Sequence, residues 1–194
     1  MKKIILASSS LYRARLLNRL NIDFEIVRPS FKEDSLKNSQ FNPFELAQKL
    51  AYEKGKSVST LHPNQIVLSA DQICHIDGSI LHKPETSNKA LEQLKTLQGK
   101  EHTLISAYSI FSLDQVIESY SVVNLKMKKL SEDEILHYIE KDRPYDCAGS
   151  YKFEEHGISL LESIECQDES AITGLPLIQL STHLAQLGVK SWNH

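Results

Sequence analysis

Apolar and polar positions along the chain switch between helical and strand periods, and the switches mark its elements. Lys3 to Ala7 is a short apolar run that predicts a buried strand. Leu11 to Leu20 places Leu16, Leu17 and Leu20 on one helical stripe. Ile22 to Val27 predicts a second strand, and the polar, irregular stretch Pro29 to Phe41 a loop. A helix begins at Asn42, with Pro43 as its first residue and Glu45 completing a capping-box-like pattern. Its stripe is Ala47, Leu50, Ala51, Lys54 and Val58. Ile66 to Ser69 predicts a buried strand ending at Asp71. Ile73 to Ile76 and Ile80 to Leu81 flank the hairpin turn Asp77-Gly78. Asn88 to Gln98 predicts a helix with Ala90, Leu91, Leu94 and Leu97 inward, stopped by Gly99. Two longer strands follow, near His102 to Leu113 and Gln115 to Met127, and Ser131 with Glu134 caps a helix reaching Glu140. Tyr151 to Phe153 and Ile158 to Glu162 predict short strands, and Pro176 starts a last amphipathic helix that ends near Gly188. There is no repeat, low-complexity tract or linker, so the 194 residues read as one α/β domain, 1–194.

Composition narrows the function classes. The chain is 41% hydrophobic and 24% charged, as soluble globular proteins are. A formal net charge of −3 gives no global case for nucleic acid or an anionic membrane as partner, although a local basic cleft can still hold a small anion. The three cysteines, Cys74, Cys147 and Cys166, form no CxxC pair, which argues against a disulfide framework or structural zinc and fits a reducing cytoplasm. The start "MKKIILASSS" has too few apolar residues for the roughly 7–15 of a signal-peptide core. No segment approaches the ~18 apolar residues of a membrane span, so a cytoplasmic protein with an intact N-terminus is expected. P-loop, GxGxxG, GxSxG and HExxH patterns are absent from the sequence.

Candidate chemistry begins at Ser8, Ser9 and Ser10, where a strand meets a helix. The first N–H groups of a helix are unpaired and, with the dipole, favour an anion. Serine hydroxyls add donors, and Arg13 can lean back over them with a fork suited to phosphate. The plainer alternative is that the serines only cap the helix and Arg13 is solvated. Lys54 continues an apolar stripe, where a lysine must snorkel, pair or line a cleft. Asp71 follows an apolar strand, a place suited to holding a divalent cation or taking a proton from water, or simply to starting a turn. Lys83 precedes a stiffening Pro84 and, alone, reads as surface. "TGLPL", Thr173 to Leu177, presents another helix N-terminus through Gly174 and Pro176. The histidines show no ligand spacing.

Six segments, in order, resemble the Maf family of nucleoside triphosphate pyrophosphatases: "LASSSLYRARLL", "LAYEKG", "SADQ", "KPETSNKALEQLKTLQGKEHT", "CAGSYKFEEHGISLLE" and "GLPLIQL". The resemblance implies an elongated mixed α/β sheet with flanking helices, similar to inosine-triphosphate pyrophosphatases, with two lobes around a central cleft. It implies hydrolysis of a nucleoside triphosphate to the monophosphate and pyrophosphate with a divalent cation, Mg²⁺ or Mn²⁺. Ser8, Ser10 and Arg13 match its phosphate-binding motif, Lys54 and Lys83 its cleft lysines, and Asp71 its proton acceptor. Glu33 matches an acid of the next loop, and Glu33 and Asp71 are the residues expected to help hold the metal. Tyr12, Gln72 and Glu154 resemble the branch acting on 7-methyl-GTP rather than the branch acting on dTTP and UTP. 7-Methylguanine carries positive charge, which an aromatic face and an acid both favour. Leu11, Lys32, Gly55, His82 and Cys166 depart from the family pattern. A homodimer and a non-catalytic, nucleotide-binding role in cell division stay open as family-level alternatives.

Overall fold

The computed structural model describes residues 4–36 and 41–190, so Lys3 of the first predicted strand lies outside the described residues. Strand β1 (Ile4–Ala7) leads into helix α1 (Leu11–Asn18), followed by β2 (Phe24–Ile26) and, after a 3-10 turn at Glu33–Leu36, by α2 (Pro43–Ser59). Then come β3 (Ile66–Ile76), β4 (Ser79–Leu81), α3 (Ser87–Leu97), β5 (Glu101–Phe111), β6 (Val116–Met127) and α4 (Glu132–Asp142). A 3-10 turn at His156–Leu160, β7 (Leu161–Cys166), a 3-10 turn at Glu169–Thr173 and α5 (Leu177–Gln186) complete the order.

The helix starts follow from local chemistry. Asn42 Oδ1 accepts from the backbone of Phe44 and Glu45, and Glu45 returns a bond to the Asn42 N–H. Ser131 and Glu134 repeat this reciprocal box at α4. The hairpin turn has Asp77 at φ 50° and Gly78 at φ 78°, the left-handed pair that a tight two-residue hairpin demands.

The strands lie in one seven-stranded mixed sheet of order β2-β1-β3-β5-β6-β7, with β4 paired to β3. β1 runs parallel to β2 and to β3, with Ala7 opposite Ser69 at the end of the latter pairing. Three expectations change here. Asp71 does not end its strand, because β3 runs on to Ile76. Beyond Ser69 its pairing with β1 ends, and β4 pairs with it from Cys74 opposite Leu81 to Ile76 opposite Ser79. Tyr151 to Phe153 is not a strand, since Gly149 and Ser150 take left-handed φ of 81° and 62° and turn the chain. Ile158 to Glu162 divides between a 3-10 turn and β7, which pairs antiparallel with β6.

Backbone contacts divide the chain into two units. The first is drawn from 1–71, 106–121 and 168–194, the second from 72–105 and 122–167, so β3, β5 and β6 each contribute to both. In the first unit β1 is covered on both faces, which is why it reads as a continuous apolar run. Ile4 and Leu6 pack with Leu16, Leu17, Leu180 and Leu184, and Ile5 and Ala7 with Val58 and Phe111. In the second unit α3 packs on α4, with Leu94, Leu97, Ile135 and Ile139 buried.

Candidate active site

The first unit gathers the charged side chains around the end of β1. The β1–β3 pairing stops at Ala7 and Ser69, so the serine loop leaves the sheet where Asp71 follows on β3. Asp71 is therefore mid-strand in the full sheet, yet it stands at the C-terminal end of the parallel pair, where ligands bind in α/β folds.

Ser10 is the N-cap of α1, and its Oγ accepts from the Arg13 N–H at 3.4 Å. Ser8 is buried and its Oγ accepts from the Ser10 N–H at 3.1 Å. Each hydroxyl hydrogen remains available to an incoming anion. The capping alternative thus holds for Ser10, while the solvated alternative for Arg13 does not. The Arg13 side chain is only 13% exposed, its Nε donates to the Gly174 carbonyl at 3.1 Å, and its Nη2 lies 4.0 Å from Asp71 Oδ1. Burial pulls the guanidinium below its ordinary pKa, and the charges of Asp71 and Glu33 oppose that pull.

Lys54 completes the set. It projects from the buried face of α2, donates to Asp71 Oδ1 at 2.5 Å, and pairs with Glu33 Oε1 at 2.9 Å. Arg13 and Lys54 are thereby balanced by Asp71 and Glu33. Of the alternatives for a lysine on an apolar stripe, pairing is the one realised. The next residue, Gly55, brings α2 close to the sheet, since a Cβ there would run into the Phe111 ring and Ser69 Oγ. This chain therefore needs glycine at 55, where the resembled family has alanine.

No group of three His, Cys, Asp or Glu side chains that could hold a metal occurs among the described residues. Glu33 and Asp71 nevertheless converge on one ammonium, so they point at a common cationic position. A pair of carboxylates suits Mg²⁺ or Mn²⁺, which take their remaining ligands from water and phosphate oxygens. The Lys54 ammonium holds that position, and these two carboxylates are the ligands the site would offer such an ion.

The other predicted residues stand elsewhere. Tyr12 is half-buried in the first turn of α1. Gln72 follows Asp71 on β3, Lys83 is exposed after β4, and Glu154 is exposed in a turn. All but Tyr12 belong to the second unit. The Lys83 loop is braced by backbone bonds: Glu85, at φ 62°, donates to the Tyr145 carbonyl at 3.0 Å, and the His82 carbonyl accepts from Gln93 Nε2 at 2.7 Å. His82 is not among the left-handed residues, so it stands there without backbone strain in place of the family's glycine. Although the residue is exposed overall, desolvation of its carboxyl, with the charges of Glu155 and Asp146, raises Glu154 above its ordinary value.

Sequence reasoning missed Asp168, Ser170 and the Gly174 carbonyl. Thr173 to Leu177 presents a helix N-terminus, as the sequence predicts, but its N–H groups are not open to a ligand. The Leu177 and Ile178 N–H groups are taken by Ser170 Oγ and Asp168 Oδ2. The Asp-x-Ser spacing ahead of a Gly-Leu-Pro turn was the available signal.

Comparison with known proteins follows this geometry. The family described as Maf-like protein matches residues 3–187. A protein of Bdellovibrio bacteriovorus named 7-methyl-GTP pyrophosphatase is 41% identical over 92% of this chain and 94% of its own. One of the same name from Aromatoleum aromaticum is 40% identical over 96% of each chain. The solved Ham1 protein of Staphylococcus aureus shares the fold, at a TM-score of 0.51 and 14% identity over 94% of this chain and 98% of that one. No helix among the described residues is long and apolar enough to cross a membrane.

Proposed function

The chain belongs to the Maf family, and from that premise we propose that it hydrolyses a nucleoside triphosphate to monophosphate and pyrophosphate, with 7-methyl-GTP preferred. The observation that carries the reading is the convergence of Arg13 and Lys54 on Asp71 and Glu33 beside the serine-capped start of α1.

The reaction places water on the α-phosphorus and expels pyrophosphate, whose negative charge grows as the bond breaks. Arg13 and Lys54 supply the cations that offset this charge, and Ser8 and Ser10 supply oriented donors. Asp71 receives the proton of the attacking water, with Lys54 fixing its carboxylate. Glu33 and Asp71 would hold a divalent cation, which when bound offsets phosphate charge and polarises its ligands. Lys83 would contribute a further cation to the triphosphate. Tyr12, Gln72 and Glu154 would select the base, the acid and the aromatic face favouring a cationic purine. The names of the relatives above support 7-methyl-GTP.

The test is incubation of the purified protein with Mg²⁺ or Mn²⁺ and 7-methyl-GTP, GTP, UTP, dTTP, CTP or ITP, with products separated. Monophosphate plus pyrophosphate, fastest from 7-methyl-GTP, is expected. Faster UTP or dTTP cleavage would overturn the base assignment and keep the reaction. Binding with no turnover of any member would favour the regulatory alternative.

A further inference from the structure

Arg13 is nearly buried, yet the group that fixes its plane is a neutral carbonyl. The Nε–H donates to Gly174 O at 3.1 Å, while Nη2 stands 4.0 Å from Asp71 Oδ1, beyond hydrogen-bond distance, so the bond that sets the plane leaves the Nη hydrogens for a ligand. A free arginine gives up rotamer freedom when it is immobilised, so a side chain already held binds phosphate at smaller cost.

The carbonyl is aimed by the loop around it. Gly174 ends the 3-10 turn Glu169–Thr173 in a left-handed conformation, φ 101°, with its N–H on the Ala171 carbonyl at 3.1 Å. Ser106 Oγ fastens that turn to β5 by donating to Ala171 O at 2.7 Å. Asp168, only 5% exposed, closes the loop from both ends. Its Oδ1 accepts from the Ser170 N–H at 3.0 Å and from Ser170 Oγ at 2.5 Å. Its Oδ2 accepts from the Ile178 N–H at 2.7 Å, and Ser170 Oγ accepts from the Leu177 N–H at 2.8 Å. Helix α5 has Pro176 at its N-cap, which provides no side-chain cap, so this carboxylate and hydroxyl take that role from across the loop.

We propose that Asp168 is a positioning residue for Arg13: it sets the loop whose Gly174 carbonyl orients the guanidinium toward the triphosphate. The proposal rests on Arg13 being a phosphate ligand. Asp168 bonds within the loop and to the start of α5, and so acts on Arg13 through the loop.

A double-mutant cycle with Asp168→Asn and Arg13→Ala tests it. The readouts are KM, kcat and inhibition by inorganic pyrophosphate, with thermal melting to establish folding. Asp168→Asn is expected to raise KM and the pyrophosphate inhibition constant about 10-fold, more than it lowers kcat, and to change them by under ~2-fold once Arg13 is alanine. An equal loss in both backgrounds would overturn the proposal, as would a folded Asp168→Asn protein with wild-type KM and inhibition. Wild-type binding by Arg13→Ala would instead remove the underlying reading of Arg13, and the proposal with it. If Asp168→Asn does not fold, Ser170→Ala replaces it in the same cycle. A rise of ~3-fold that vanishes beside Arg13→Ala supports positioning, and an additive loss overturns it.

Discussion

Lys54 and Lys83 make an instructive pair. Lys54 is buried in the first unit and bound to two carboxylates, whereas Lys83 is exposed in the second on a loop whose backbone is braced. In the first unit the charges position one another, so the site is assembled before any ligand arrives. In the second the backbone is fixed and the charge is presented to solvent. Substitution should therefore disturb stability and activity together in the first unit, and activity alone in the second.

The largest effect should come from Asp71. Asp71→Asn keeps the shape but removes the proposed proton acceptor and one anion of the balanced set. Turnover should fall by ~10³-fold or more in single-turnover measurements. Full turnover with unchanged metal dependence would end the assignment of Asp71.

The lysine pair itself is the next test. Lys54→Met leaves the buried Asp71 without its closest cation and should cost roughly 3 kcal/mol of stability, besides most activity. Lys83→Met should leave stability within about 0.5 kcal/mol while turnover falls about 10-fold. Thermal melts and initial rates on both variants decide it. Equal destabilisation by the two would erase the distinction between the units.

How much of this was legible follows from range. Caps are local, so Asn42 with Glu45 and Ser131 with Glu134 marked helix starts from sequence alone. Lys54 was visible as a charge interrupting an apolar stripe, and the structure supplies the partners. Asp71 was misread as a strand end because a polar residue interrupts the run. β4 pairs back onto β3 across the adjacent hairpin, and β5, distant in sequence, flanks it, so the strand runs on past Asp71. Tyr151 to Phe153 suits a strand by its aromatic ends, but the left-handed turn at Gly149 and Ser150 just before it decides otherwise. Asp168 was missed because its partners include a backbone N–H ten residues on, which no periodicity reports.

A third test sharpens the comparison through pH. His102, 3% exposed in the second unit, bonds Tyr151 Oη through Nε2 at 2.8 Å. Burial, then the neighbouring His75, lowers its pKa from 6.5 to about 4. The unfolded chain therefore binds this proton first as pH falls. Stability is full above pH 6.5, declines down to about pH 4, and the loss amounts to about 3 kcal/mol. Denaturant melts across that window should show the decline, and His102→Gln should flatten it. An unchanged slope in the variant would place the titration elsewhere.

The smallest effect is the most selective. Glu154 is exposed, so Glu154→Gln should leave the melting temperature unmoved. If its carboxylate favours a cationic base, the ratio of kcat/KM for 7-methyl-GTP over GTP should drop about 10-fold, because only one of the two bases carries the charge. Desolvation raises the Glu154 pKa, so the carboxylate is lost to protonation sooner than an ordinary glutamate as pH falls. The wild-type ratio should decline on acidification through that raised value, and the ratio for Glu154→Gln should stay flat. A wild-type ratio insensitive to both the substitution and pH would leave Glu154 a surface acid.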